Sequence, residues 1–113
     1  MQHDPRTYLW DAHAAADAIT QFTRGKTWAD FEQDLLLRSA VERQFQIIGE
    51  ALGHLARSHP DVARQIPDLH RIIAFRNILV HGYAAVNYET VWRAVQDRLP
   101  ALREALRHLI EEP

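Results

Sequence analysis

The sequence predicts an all-α fold, an up-and-down bundle of four or five helices. Apolar residues recur at spacings of three and four along most of the 113 residues. No segment alternates polar and apolar residues over the length of a strand. The length suits one compact domain, residues 1–113, and leaves no room for a second core.

The first helix is expected to begin at the N-terminal end of the chain. Asp4 is a good N-cap, and Pro5 falls at the first helical position, where its missing N–H costs nothing. An apolar stripe at helical spacing follows, made of Leu9, Ala12, Ala16, Ile19 and Phe22. Gly25 is expected to end this helix.

A second helical region begins with a capping-box pattern, Thr27 followed three residues later by Asp30. Its apolar rhythm continues to Leu55 and is compatible with one long helix or with a short helix followed by a long one. The segment 58–61 and Pro67 interrupt the pattern.

Two further helices complete the predicted bundle. One is expected from about Asp68 to His81, closed by Gly82. Asn87 can cap the last helical region, whose apolar stripe continues almost to the C-terminus. Pro100 lies inside this stripe, which predicts a kink or a restart there.

Composition excludes several classes of function. The sequence has no Cys, which removes disulfides, thiolate nucleophiles and the usual closed zinc sites. A net charge of -2 argues against coating nucleic acid by bulk charge, although a local basic cleft stays open. No stretch approaches the roughly 18 apolar residues of a membrane span, and no targeting segment is evident, so a soluble cytoplasmic protein is expected.

The segment 70–83 carries the most informative pattern in the chain. At about 100° per residue, one arc of its helix is apolar and is expected to pack into the core, namely Ile72, Phe75, Ile78 and Leu79. The opposite arc mixes apolar and polar residues, namely His70, Ile73, Arg76, Asn77, Val80 and His81. Such a mixed face is typical of a protein–protein contact that contains a cleft.

Three polar side chains converge near the end of this helix. Asn77 and His81 are four residues apart and lie one above the other, and the long side chain of Arg76 can reach across from roughly 140° away. A guanidinium can hold two phosphate oxygens, and an imidazole exchanges protons near neutral pH. These groups suit a phosphodiester.

Glu50 is a candidate supporting residue on the preceding long helix. It shares one side of that helix with Gly49 and Gly53, which permit another helix or chain to approach closely. Glu50 could then pair with Arg76, because an unpaired buried carboxylate is costly. A solvated face is the alternative, and the sequence leaves both open.

The frame Arg76-x4-His81-x-Tyr83, together with Asn77, resembles the signature of HEPN-domain proteins, specifically the HepT-like toxins. The flanking segments 46–52, 67–76 and 87–100 resemble that family as well, so the resemblance covers essentially the whole chain. It implies a HEPN-like helical homodimer whose two copies of the motif face a shared cleft.

The resemblance also implies an activity, that of a metal-independent endoribonuclease with no cofactor. His81 would act as general base or acid while the ribose 2′-hydroxyl attacks the adjacent phosphate, leaving a cyclic phosphate end. Arg76 would neutralise charge developing on the phosphate oxygens, and Asn77 would orient Arg76 or His81. Single-stranded or loop RNA is the expected substrate.

A partner is implied too. HepT-like toxins are paired with a small nucleotidyltransferase antitoxin of the MntA type, which silences the toxin by transferring AMP to the tyrosine of the motif; Tyr83 is the matching position. AMP there would add bulk and negative charge where substrate phosphate must lie. The expected assembly is a homodimer, or a larger one that includes the antitoxin.

Other interpretations of these residues stay open. Arg76 and His81 could be a helix-end pair, with His81 stabilising the last carbonyls beside Gly82. Tyr83 could be a packed aromatic. The chain as a whole could be a non-catalytic helical module that docks a nucleotidyltransferase or binds a nucleotide.

Overall fold

A computed structural model describes residues 4–82 and 86–111 of the chain, and all regular secondary structure in these residues is helical. The prediction of an all-α fold is confirmed. In chain order the elements are α1 (Pro5–Thr23), α2 (Trp28–Gln33), α3 (Leu35–Ser58), α4 (Pro60–Ala63), α5 (Leu69–His81), α6 (Tyr88–Arg93), a π-helical segment (Ala94–Arg98) and α7 (Leu99–Glu111).

The longest helix, α3, lies at the centre of the bundle. It packs against α1 on one side and α5 on another, and α1 also packs against α7. Tyr8, at the start of α1, stacks on His54 near the end of α3, with ring centroids 5.7 Å apart. The two helices therefore run antiparallel, as expected of neighbours joined by a short connection.

Most of the predicted helix signals are present as hydrogen bonds. Asp4 caps α1 by accepting a bond from the backbone N–H of Arg6 at 2.9 Å. Thr27 and Asp30 form the reciprocal capping box, with bonds of 2.9 and 3.2 Å. Asp34 is in an extended conformation between α2 and α3, so this region is a short helix followed by a long one.

The core is built from one buried stripe on each long helix, and it contains Leu9, Ala12, Ala16, Ile19, Val41, Ile48, Leu52, Leu55, Leu79, Val91, Leu99 and Leu106. The prediction that Phe22 extends the stripe of α1 is wrong, because Phe22 is exposed. At 100° per residue, Thr23 rather than Phe22 lies in line with Ile19. Thr23 is buried, and its hydroxyl donates to the carbonyl of Ile19 at 2.8 Å.

The expected change near Pro100 occurs one turn earlier. Hydrogen bonding switches to the π pattern from Ala94 to Arg98, and α7 begins at Leu99. In a regular α-helix the ring of Pro100 would collide with the carbonyl of Gln96, and no N–H would be available to that carbonyl. A wider turn just before the proline relieves this conflict without ending the helical rod.

Arg38 connects three elements near the start of α6. Its buried guanidinium donates to the carbonyl oxygens of Phe31 (3.2 Å) and Glu32 at the end of α2. Its terminal carbon also lies 4.2 Å from the centre of the Tyr88 ring, a cation–π contact. This buried cation fixes α6 relative to α2 and α3.

None of the helices in the described ranges is long and apolar enough to span a bilayer.

Candidate active site

Helix α5 positions the motif side chains. It begins after Asp68, which has a left-handed backbone (φ 58°) and makes no side-chain cap bond. It ends at Gly82, whose N–H donates to the carbonyl of Ile78 at 2.8 Å. Arg76, Asn77 and His81 therefore lie on its last two turns.

Arg76 lies directly against the backbone of α3. A Cβ atom placed on Gly49 would lie 2.2 Å from the Cβ of Arg76 and 2.6 Å from its Cγ, distances that real atoms do not adopt. Gly49 is therefore the position on α3 that admits the stem of Arg76. This contact sets how closely α5 can pack on α3 at the level of the motif.

The guanidinium of Arg76 is held by two neighbours. Its Nη1 donates to the Asn77 side-chain oxygen at 3.1 Å, and its Nη2 lies 3.5 Å from Oε1 of Glu50. Its Nε is buried and has no hydrogen-bond partner among the described residues. The Arg76 side chain is 27% exposed, so the group is held between two helices while part of it still faces solvent.

The contact suggested by the sequence for Glu50 is present, and the sequence missed a second cation beside it. Nη1 of Arg43 lies 3.9 Å from the same Oε1 of Glu50. Arg43 precedes Glu50 by seven residues, two helical turns, which places the two side chains on one face of α3. That spacing could have identified Arg43.

His81 lies apart from the other motif side chains. It is exposed on the last turn of α5, and within the described residues no hydrogen bond or ion pair joins it to Arg76 or Asn77. Asn77 contacts Arg76 rather than His81. One protomer thus assembles arginine, asparagine and glutamate, and leaves the imidazole free in solvent.

Tyr83 lies outside the described residues, so its predicted role is not tested.

The prediction that Ile78 packs in the core is wrong, since 50% of its surface is exposed. On α5 it lies about 100° around the axis from buried Leu79. Ile72 and Phe75 are half-buried against the core, as predicted. The core-facing arc is therefore narrower than the sequence suggests, and Ile78 lines a groove beside it.

The arrangement has the parts needed to bind an anion and to move a proton. A partly exposed guanidinium suits phosphate oxygens, and an exposed imidazole can exchange protons near neutral pH. Within residues 4–82 and 86–111, no group of three or more His, Asp or Glu side chains is placed to hold a metal ion.

Comparison with known proteins agrees with this site. Residues 12–109 match the family described as "Ribonuclease HepT-like". The "probable ribonuclease HepT" of Thermococcus cleftensis is 30% identical over 103 residues, 91% of this chain and 93% of that protein. A candidate RNase of Caldanaerobacter subterraneus subsp. tengcongensis is 27% identical over 108 residues, covering 96% of each chain.

A further relative, a candidate RNase of Methanocaldococcus jannaschii, is 26% identical over 103 residues, 91% of this chain and 94% of that protein. No solved structure gave a significant match. The family match spans nearly the whole chain and includes both helices that hold Arg76, α3 and α5. The chain therefore belongs to the HepT-like ribonuclease family.

Proposed function

We propose that the protein is a metal-independent endoribonuclease that acts as a homodimer and serves as the toxin of a type II toxin–antitoxin pair. The observation that carries this proposal is the state of Arg76. Its guanidinium is fixed by Glu50 and Asn77 while still partly open to solvent, and His81 lies near it on the same helix. This is an anion site beside a proton-transfer group.

The reaction we propose needs only these side chains and the substrate. His81 takes the proton of a ribose 2′-hydroxyl, and the 2′-oxygen attacks the adjacent phosphorus. The bond from phosphorus to the 5′-oxygen breaks, and that oxygen leaves with a proton supplied by an imidazolium. The products are a 2′,3′-cyclic phosphate and a free 5′-hydroxyl, so no water or metal is consumed.

Arg76 would act on the phosphate during this step. Negative charge develops on the non-bridging oxygens as the fifth bond forms, and a fixed guanidinium stabilises it without reorganising. Asn77 and Glu50 would hold the guanidinium in place by their contacts at 3.1 and 3.5 Å. Each of the two effects, proton transfer and charge stabilisation, can supply on the order of 10²–10⁴-fold in rate.

A dimer would explain why one protomer leaves His81 separate from Arg76. A pair of protomers facing each other across α5 supplies two imidazoles and two guanidiniums around one phosphate. One imidazole can then act as base and the other as acid. A single site made by two subunits would be inactive in the monomer.

Regulation would act through Tyr83, two residues after His81. Transfer of AMP to its phenol by a nucleotidyltransferase antitoxin would place a phosphate and a nucleoside beside the imidazole. The added charge repels substrate phosphate, and the added bulk fills the space that RNA needs. Both effects would silence the enzyme without unfolding it.

The test is cleavage of single-stranded RNA by the purified protein in excess EDTA, with analysis of product ends. We expect cyclic phosphate and 5′-hydroxyl ends, and we expect His81→Ala to abolish them. His108→Ala, which removes another exposed histidine on α7, is the matched control and should cleave normally. Full activity of His81→Ala would reject the proposed catalytic role.

A non-catalytic module that docks a nucleotidyltransferase or binds a nucleotide is the second candidate. Two observations favour it, the net charge of -2 and the carboxylate of Glu50, which offsets part of the Arg76 charge. It predicts binding of a nucleotidyltransferase or a nucleotide by wild-type protein, with no RNA cleavage at any concentration tested.

A further inference from the structure

An open groove runs beside α5, on the side away from Arg76. Its cavity has a volume of about 520 Å³ and is bounded by α5, α6, the π-helical segment and α7, with Phe45 of α3 at its base. The floor is apolar and includes Ile72, Phe75 and Leu102. We call this feature the α5–α7 groove.

Four charged side chains around the α5–α7 groove lack partners. Arg71 and Arg98 carry positive charge, and Asp68 and Asp97 carry negative charge. Within the described part of the chain, none of the four makes a side-chain hydrogen bond or an ion pair. Asp68 is the N-cap residue of α5, yet its carboxylate does not cap the helix.

We infer that a second copy of this chain occupies the α5–α7 groove. A rim with two unpaired charges of each sign is self-complementary, because a two-fold axis can set the arginines of one copy against the aspartates of the other. An RNA strand or an acidic peptide would pair with the arginines but would be repelled by both carboxylates. The charge pattern therefore favours a second copy.

Ile78 adds an apolar contact to this surface. It lines the α5–α7 groove and is 50% exposed, which is unusual beside an unfilled apolar floor. Buried in a partner's groove, such a side chain would gain roughly 1.5–3 kcal/mol from the apolar area removed from water. Ile78 is therefore the expected central anchor of the interface.

The α5–α7 groove is continuous with the motif. Ala74, Ile78 and His81 follow one another at spacings of four and three, so they form one ridge along α5, and the first two line the groove. A copy seated in the groove would therefore lie beside His81. This inference rests on the proposed function in one respect, since it identifies the surface that would complete the shared site.

The first test is the oligomeric state of Ile78→Asp, measured by sedimentation at micromolar concentration. We expect wild type to be a dimer and the variant to dissociate, with a dissociation constant raised about tenfold or more. Leu36→Asp is the matched control, since Leu36 is 79% exposed at the start of α3, outside the groove, and should leave the dimer intact.

A charge-reversal pair makes the test specific. The double variant Arg71→Glu with Arg98→Glu has an acidic rim, and the double variant Asp68→Asn with Asp97→Arg has a basic one. Asparagine is used at residue 68 because it tolerates the left-handed backbone. Each variant should be monomeric alone, and the two should form a heterodimer when mixed.

A monomeric wild type, or an Ile78→Asp variant that stays dimeric, would overturn the inference. Weaker binding of RNA to groove variants of a monomeric protein would instead identify RNA as the occupant. The proposed function is judged separately by His81→Ala. A dimer through this groove without ribonuclease activity would sustain the interface and reject the enzyme, whereas cleavage by a dimer that Ile78→Asp leaves intact would do the reverse.

Discussion

Gly49 and Arg76 occupy one another's space, since a Cβ on Gly49 would lie 2.2 Å from the Cβ of Arg76. The missing side chain on α3 admits the stem of the arginine on α5. The next residue of α3, Glu50, then holds the guanidinium by its carboxylate at 3.5 Å. Two adjacent residues of α3 thus set the position of Arg76, one by making room and the other by charge.

Gly49→Ala should therefore disturb both packing and activity. The added methyl must displace α5 or force the Arg76 side chain out of its rotamer, which costs about 1–3 kcal/mol. We expect a lower free energy of unfolding in urea and RNA cleavage reduced by at least the loss seen in Arg76→Ala.

Gly53→Ala is the control for this substitution. The same methyl on Gly53, one turn further along α3, would meet only Arg57 Nη1 at 3.6 Å, an ordinary contact. Alanine is favoured over glycine inside a helix by about 0.5–1 kcal/mol, so this variant should be as stable as wild type or more so. Equal behaviour of the two alanine variants would contradict the proposed role of Gly49.

Glu50→Gln should separate positioning from stability. The Glu50–Arg76 pair is partly exposed, so its loss should change the free energy of unfolding by only about 0.5 kcal/mol. A less firmly held guanidinium should lower kcat for RNA cleavage about tenfold, while KM stays level or falls because Arg76 keeps more of its charge. Steady-state kinetics on a short RNA measure both.

Glu104→Gln provides the comparison, because Glu104 pairs with Arg107 on the exposed face of α7. It should leave kcat unchanged. A rise in KM for Glu50→Gln with kcat unchanged would show that Glu50 assists binding rather than the reaction step.

Glu42 should make stability depend on pH. Burial raises the pKa of its carboxyl above 4.5, although the positive charge of Arg38 opposes the shift. A raised pKa means that the folded state holds the proton more tightly than the unfolded state. This residue's contribution to stability is therefore greatest below pH 4.5 and is lost as pH rises through the folded-state pKa.

Glu42→Gln removes that dependence, because the amide stays neutral. The variant should have a higher Tm than wild type at pH 7, and the difference should shrink as pH falls toward 4. Thermal unfolding followed by circular dichroism at several pH values measures this. A gap in Tm that widens toward low pH would show that the sign is wrong.

Tyr83→Phe should uncouple regulation from cleavage. Removing the phenolic oxygen removes the acceptor for AMP and leaves the ring in place, so a nucleotidyltransferase with ATP should no longer silence the protein. Mass spectrometry should find one added AMP on wild type and none on this variant. Tyr88→Phe, which alters the exposed tyrosine at the start of α6, should be modified and silenced like wild type.

The helices and their ends follow from local sequence signals. Asp4 and Thr27 cap their helices by bonds to residues two or three positions away, and Gly82 ends α5 in the same local way. Interactions over such short separations depend on the order of residues alone, which is why the sequence predicts them. Pro100 likewise marks the change in helical register before it.

Sequence alone also identified the motif and the chemistry of Arg76, Asn77 and His81. Tertiary structure decided which of them meet, because contact between α3 and α5 depends on how two distant segments pack. Spacing along α5 brings Asn77 and His81 together on a wheel, yet Asn77 bonds Arg76 and His81 stays in solvent. The exposure of Ile78 was decided in the same way, since the width of a buried arc depends on which neighbouring helices cover it.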